Sequence, residues 1–125
     1  MANNTPEELL NRVTECINSK DVDSFISLYE PEASFIDESG ESINGREKIG
    51  EKIKGYMDMN GKSESSIIKV IHAGDVVLAF RDWTYKASNP DGTQITLGGT
   101  PIDVLRKQSD NTWLRVIDSP WGIKN

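Results

Sequence analysis

Two runs rich in β-branched and apolar residues, 99–107 and 112–118, flank a polar break made of Gln108, Ser109, Asp110 and Asn111. The pattern predicts a β-hairpin. Each run carries a carboxylate in an apolar setting. Asp103 stands between Ile102 and Val104, and Asp118 follows Val116 and Ile117. Aspartate is disfavoured inside strands, and an unpaired buried charge is costly. Each aspartate must therefore face solvent, a partner or a cavity. Strict alternation puts Asp103 on a face with Leu105, and Asp118 on a face with Val116 and Leu114. Either these are surface aspartates on a half-wet sheet, or they look into a common interior space.

The remainder of the second half is also β in character. Strands are expected over 67–72, 76–86 and 93–107, with turns at Ala73-Gly74-Asp75 and Asn89-Pro90-Asp91-Gly92. Gly98, Gly99 and Pro101 inside the third of these predict a bend that curves the sheet. The first half is largely helical. Thr5-Pro6-Glu7-Glu8 reads as a capped start, and Leu9, Val13, Cys16 and Ile17 recur at helical spacing to about residue 19. Asp21 caps a second helix with a stripe of Val22, Phe25, Ile26 and Tyr29, ended by Pro31. A short strand covers 33–37, and 41–43 can pair back on it. Asn44 then opens a third helix whose inner face holds Ile49, Ile53, Tyr56 and Met57, stopped at Asn60-Gly61. Helices first and antiparallel hairpins after them give an α+β class, with a bent sheet wrapped around three helices.

At 125 residues the chain is expected to form one domain with a real core. The lone Cys16 allows neither a disulfide framework nor a zinc pattern, and it falls on the apolar face of the first helix. The net charge of −6 argues against nucleic acid or an anionic membrane surface as partner. No apolar run has transmembrane length and residues 1–5 do not resemble an export signal, so a cytoplasmic protein is expected. With His72 as the single histidine, and no tight carboxylate cluster by sequence, neither a metal nor another cofactor is expected. His72 reads as a turn-flanking surface residue or as a proton shuttle.

Several segments, in this order and spacing, resemble the nuclear transport factor 2-like superfamily, which includes ketosteroid isomerases and SnoaL-like polyketide cyclases. They are Asn18-Ser19-Lys20-Asp21-Val22-Asp23, Leu28-Tyr29-Glu30-Pro31-Glu32-Ala33, Asn44-Gly45-Arg46-Glu47-Lys48-Ile49, Ala73-Gly74-Asp75-Val76-Val77 and Asp118-Ser119-Pro120-Trp121-Gly122. The resemblance covers nearly the whole chain. It implies a cone: a curved antiparallel sheet closed by three helices around a pocket, often paired as a homodimer through the outer sheet face. The sequence adds its own reason to expect a homodimer, since the strands from Val76 to Asp118 carry apolar residues on both faces.

Ketosteroid isomerase, itself a standard case of carboxylate tuning, works with an aspartate base and an oxyanion site made of a tyrosine and a protonated aspartate. By that resemblance Asp37 falls at the base position and Asp103 on the segment bearing the protonated acid. The tyrosine does not carry over; Val13 falls in its place. Losing an oxyanion donor typically costs about 10²–10³ in rate, so steroid isomerisation is not expected. Asp118 is an addition to the pattern.

The residues alone give a related picture. If Asp37, Asp103 and Asp118 share one partly dry cavity, they cannot all ionise cheaply, and a protonated and an ionised carboxyl make an acid/base pair. Asp103 has apolar strand neighbours and no cation on its own face except Lys107, so it is expected to be buried and to serve as the neutral donor. The alternative is that the three are separately solvated. Candidate pocket walls are Val13, Tyr29, Phe35, Ile53, Tyr56, Phe80 and Val116, with Trp121 near the mouth; core packing explains most of them equally well. Three functions compete. One is proton-transfer catalysis (isomerase, cyclase, dehydratase or hydrolase type) on a small, mostly apolar molecule bearing a carbonyl or hydroxyl. The others are a non-catalytic pocket for a small hydrophobic ligand, and a dimerisation module.

Overall fold

The first helix starts where its sequence dictates. The computed structural model describes residues 3–122, and there the Thr5 hydroxyl accepts the Glu8 N–H at 3.0 Å while the Glu8 carboxylate reaches back to the Asn4 N–H at 2.9 Å. Met1 and Ala2, which belong to the stretch read above for an export signal, lie outside the described residues. Helix α1 (Pro6–Ser19) ends on Lys20 in the left-handed region, φ +58°. It is followed by α2 (Val22–Ile26), β1 (Tyr29–Ile36), β2 (Ser42–Asn44), α3 (Arg46–Met57), β3 (Lys62–Ala73), β4 (Val76–Ser88), β5 (Gln94–Gly99), β6 (Ile102–Lys107) and β7 (Trp113–Ser119).

One sheet runs in the order β2-β1-β7-β6-β4-β3, with β5 also on β4. The strand expected over 93–107 is split by the Thr100-Pro101 step, yet both halves stay on β4: Gly99 pairs with Trp83 and Ile102 with Phe80. Gly98 permits this close passage, because a Cβ there would sit 2.7 Å from the Trp83 carbonyl oxygen. The sheet is mixed, which corrects the expected wholly antiparallel one. β1 lies parallel to β7. A parallel neighbour needs a long connection, and residues 37–112 intervene between these two strands.

The helices cover one face. Leu9, Leu10 and Val13 of α1, Phe25 of α2 and Ile49 and Ile53 of α3 pack with Val77, Ala79, Leu105 and Trp113 of the sheet. Alternate residues of β4 and β6 point away from the helices, and on the outer side Ile71, Val76 and Ile117 are exposed. Three local readings change. Helix α2 stops at Ile26, so Tyr29 opens β1 instead of extending the helical stripe. Pro31 lies within β1, in the stretch where pairing with β7 is interrupted between Tyr29 and Ser34; a residue without an N–H fits only such a gap. The α3 cap is Gly45 at φ +89°, not Asn44. The Asn44 side chain accepts instead from the hydroxyls of Ser34 and Ser42.

Among the described residues, no helix is long and apolar enough to cross a membrane.

Candidate functional site

The site is built by an irregularity in β7. Across the β6–β7 pair, Asp103 lies opposite Asp118 and Val104 opposite Ile117, but Leu105 lies opposite Arg115. Val116 is therefore an extra residue, a β-bulge, and it reverses the alternation of side chains beyond it. Trp113, Arg115 and Asp118 all come to the inner, buried face. This corrects the face expected for Asp118, which sits with Arg115 and not with Leu114 and Val116.

On that face, four charges meet without solvent. Arg81 of β4 donates from Nε to Asp103 Oδ2 at 2.8 Å. Arg115 donates from Nη1 to Asp118 Oδ2 at 2.8 Å, and the same nitrogen is 3.6 Å from Asp103 Oδ1. The Tyr29 hydroxyl also donates to Asp118 Oδ2. None of the four charged residues is more than 4% exposed. Two arginines and two aspartates leave the cluster neutral, which is how such charges can be buried at all. Asp103 is buried as expected, but not for the reason given, since a cation from the neighbouring strand faces it. The Arg115 guanidinium lies 4.1 Å from the Tyr29 ring centroid and 5.0 Å from that of Phe25, a packing suited to its flat, weakly hydrated face. Burial pushes the Asp118 carboxyl above its ordinary range; Arg115 pulls it back and Asp103 pushes it further up. Burial likewise holds the Tyr29 hydroxyl far from ionising.

The pairing is incomplete. A bidentate arginine–carboxylate pair would use two nitrogens and both oxygens, whereas here a single Arg115–Asp118 contact forms. Asp118 Oδ1, Asp103 Oδ1 and the Nε and Nη2 of Arg115 are buried without a protein hydrogen-bond partner. Asp118 and Arg115, together with Arg81, line a cavity of about 70 Å³ between the sheet and the helices. Its other walls are mostly apolar: Val13 and Ile17 of α1, Phe25, Phe35, Ile53 and Met57. Tyr56, Leu97 and Trp121 line both this cavity and a wider outer cleft of about 470 Å³ that also touches Glu38 and Lys52. These three side chains thus stand between inside and outside. Trp121 stacks on Trp83 with ring centroids 5.0 Å apart.

The structure brings together only part of the residues singled out by sequence. Val13, Phe35, Ile53, Tyr56, Trp121 and Asp118 line the cavity. Asp103 lies behind it, against Arg81 and Arg115, and Tyr29 holds Asp118 from the same side. Phe80 alternates with buried Ala79 and Arg81 and so points to the outer side, and Val116 occupies the bulge; neither is a wall. Asp37 stands apart. Its Oδ1 accepts from the N–H and hydroxyl of Ser39 and the N–H of Glu41, closing the turn after β1. The Ser39 hydrogen bond above all holds its carboxyl below the usual range. His72 is exposed, with Trp113 edge-on to its ring at 6.2 Å. Sequence reasoning missed Arg81 and Arg115. The signal was available for Arg115, which stands between Leu114 and Val116 as Asp103 stands between Ile102 and Val104; Arg81, with Phe80 before it and Asp82 after it, carried none.

Residues 10–116 match the family model of the SnoaL-like domain. The chain belongs to that family, within the nuclear transport factor 2-like superfamily. No curated protein matches the sequence. Among solved structures, a ketosteroid isomerase-like protein from Erwinia carotovora is similar at TM-score 0.81 and 14% identity, over 95% of this chain and 94% of that one. A nuclear transport factor 2-like superfamily protein from Salmonella enterica is similar at TM-score 0.78 and 24% identity, over 94% of this chain and 88% of that one. A calcium/calmodulin-dependent protein kinase II association domain from Xanthomonas campestris is similar at TM-score 0.77 and 15% identity, over 95% and 86% of the two chains. At these identities the likeness establishes the fold alone.

Proposed function

We propose that this chain holds a small, mostly apolar molecule in the inner cavity, with one polar group turned toward Asp118 and Arg115, and that Asp118 exchanges a proton with it. The observation that carries the reading is the set of unpartnered polar atoms on these two residues at the end of an apolar cavity. Burying such atoms without partners is costly, and a small-molecule site characteristically joins apolar walls to a few convergent polar groups. Burial raises the affinity of Asp118 for a proton, which is the direction that acid/base work calls for. Asp103 positions the two arginines and does not touch the occupant. Asp37 has no part in the chemistry, its oxygens being turned to a surface turn.

The test begins with a mass-spectrometric search for a small molecule that co-purifies with the protein. Incubating the molecule found with protein in deuterium oxide then reads catalysis directly: deuterium should enter at a carbon next to its carbonyl, and Asp118→Asn should abolish this. Binding without exchange would favour the non-catalytic pocket, a reading supported by the ion pairs that engage both buried aspartates. The exposed apolar residues on the outer sheet face, Ile71, Val76 and Ile117, support a homodimer packed through that face. A stable monomer of 13.9 kDa in sedimentation would rule it out.

A further inference from the structure

The unpartnered atoms of Asp118 and Arg115, two of the charged residues that line the cavity, differ in kind. Asp118 Oδ1 is an acceptor, while Nε and Nη2 of Arg115 are donors. They belong to side chains joined by one hydrogen bond of 2.8 Å, from Arg115 Nη1 to Asp118 Oδ2, so the unpartnered acceptor and donors are carried by two adjoining groups. The cluster of Arg81, Asp103, Arg115 and Asp118 is neutral as a whole. A ligand group carrying only an acceptor, such as a ketone, would answer Arg115 and leave Asp118 Oδ1 facing apolar walls. An anionic carboxylate would meet Arg115 but press a second negative charge against Asp118, and Arg81, the other cation lining the cavity, is already engaged by Asp103. An end group that offers a donor and an acceptor on adjacent atoms, without net charge, satisfies both residues at once.

We propose that the occupant ends in a neutral, paired donor–acceptor group of the primary or secondary amide kind, which donates to Asp118 Oδ1 and accepts from Arg115. The inference rests on the cavity reading above and specifies what kind of molecule fills it. The apolar body of the ligand runs along Val13, Phe35 and Ile53 and emerges between Tyr56 and Trp121. Passing between these two rings into the outer cleft, which they also line, would let that body exceed the 70 Å³ of the inner space.

The test uses four probes of one shape: benzamide, acetophenone, benzoate and ethylbenzene. Each is titrated into the wild-type protein at pH 7, with affinity read from amide chemical shifts in NMR spectra. Satisfying one additional buried charged group is worth at least about tenfold in affinity, so benzamide should bind at least about tenfold more tightly than acetophenone. Benzoate should bind no better than acetophenone, and ethylbenzene should bind least. If acetophenone equals benzamide, or benzoate is tightest, the proposal falls while the cavity remains a binding site. If no probe shifts any cavity residue, the cavity reading falls and takes the proposal with it.

Discussion

The inner end of the cavity and its mouth are built from the same three parts. Inside, the Tyr29 hydroxyl and the Arg115 guanidinium both donate to Asp118. At the mouth, the Tyr56 hydroxyl and the Lys52 ammonium both donate to Glu38. The parts agree and the solvent differs. Arg115 and Asp118 side chains are 1% and 3% exposed, Lys52 and Glu38 29% and 44%. The two carboxyls respond in opposite directions. The Lys52 hydrogen bond leads in holding Glu38 below the usual glutamate range, whereas burial outweighs Arg115 and lifts Asp118. A cationic partner therefore does not by itself lower a carboxyl's affinity for its proton; water has to supply the rest.

Removing the cation should separate the two sites most clearly. Arg115→Met would strand Asp118, and partly Asp103, in an apolar surrounding, at a cost of about 3–5 kcal/mol. Lys52→Met at the mouth should cost about 0–1 kcal/mol. Urea denaturation midpoints decide this, and equal losses would erase the distinction drawn here. The tyrosines form the next contrast. Tyr29→Phe keeps the ring under Arg115 and deletes one hydrogen bond to a buried charge, which should cost about 1.5–3 kcal/mol. Tyr56→Phe faces solvent and should stay below about 1 kcal/mol. Differential scanning calorimetry of the two variants reads both.

The smallest and most specific effect lies in pH. Asp118 binds its proton more tightly folded than unfolded. Its contribution to stability therefore falls as pH rises from the unfolded value of about 3.9 through the higher folded one. Glu38 works the other way, since its contribution is in place above the ordinary glutamate value and is lost as pH falls through the depressed folded one. Stability measured against pH should lose its decline on the alkaline side of 3.9 in Asp118→Asn. In Glu38→Gln it should lose a small part of its acid-side fall. A parallel pH profile for wild type and Asp118→Asn would mean that burial does not govern this carboxyl.

Much of the architecture was legible because it rests on local rules. The Thr5 cap and the apolar stripe of α1, the turn at Asn89 to Gly92, and the bend at Gly98 to Pro101 follow from residue chemistry within a few positions. The site was legible only in fragments, because its geometry depends on pairing between strands. Asp103 and Asp118 stood out as carboxylates among apolar residues, but their partners come from other positions that strict alternation could not assign. One extra residue at Val116 changed which side Asp118 faces. Asp37 failed for a related reason. It lies one residue past the end of β1, where the backbone turns and Ser39 competes for its side chain.

The bulge at Val116 has a further consequence, for strand alignment. Residues three apart in a regular strand face opposite ways, so Arg115 and Asp118 can pair only because Val116 is inserted between them. Trp113, Leu114, Val116 and Ile117 put apolar groups on both sides of β7, and such a pattern distinguishes poorly between neighbouring registers. The charges distinguish sharply. Sliding β7 by one residue would carry Arg115 and Asp118 to the outer surface and leave Arg81 and Asp103 sealed in without their neighbours. The four charges act as a check on assembly, rejecting the misaligned sheet more strongly than they favour the aligned one. A chain in which all four are replaced by apolar residues of matched volume should therefore gain stability and lose uniqueness. Its β7 amides would give doubled NMR signals where the native chain gives one set.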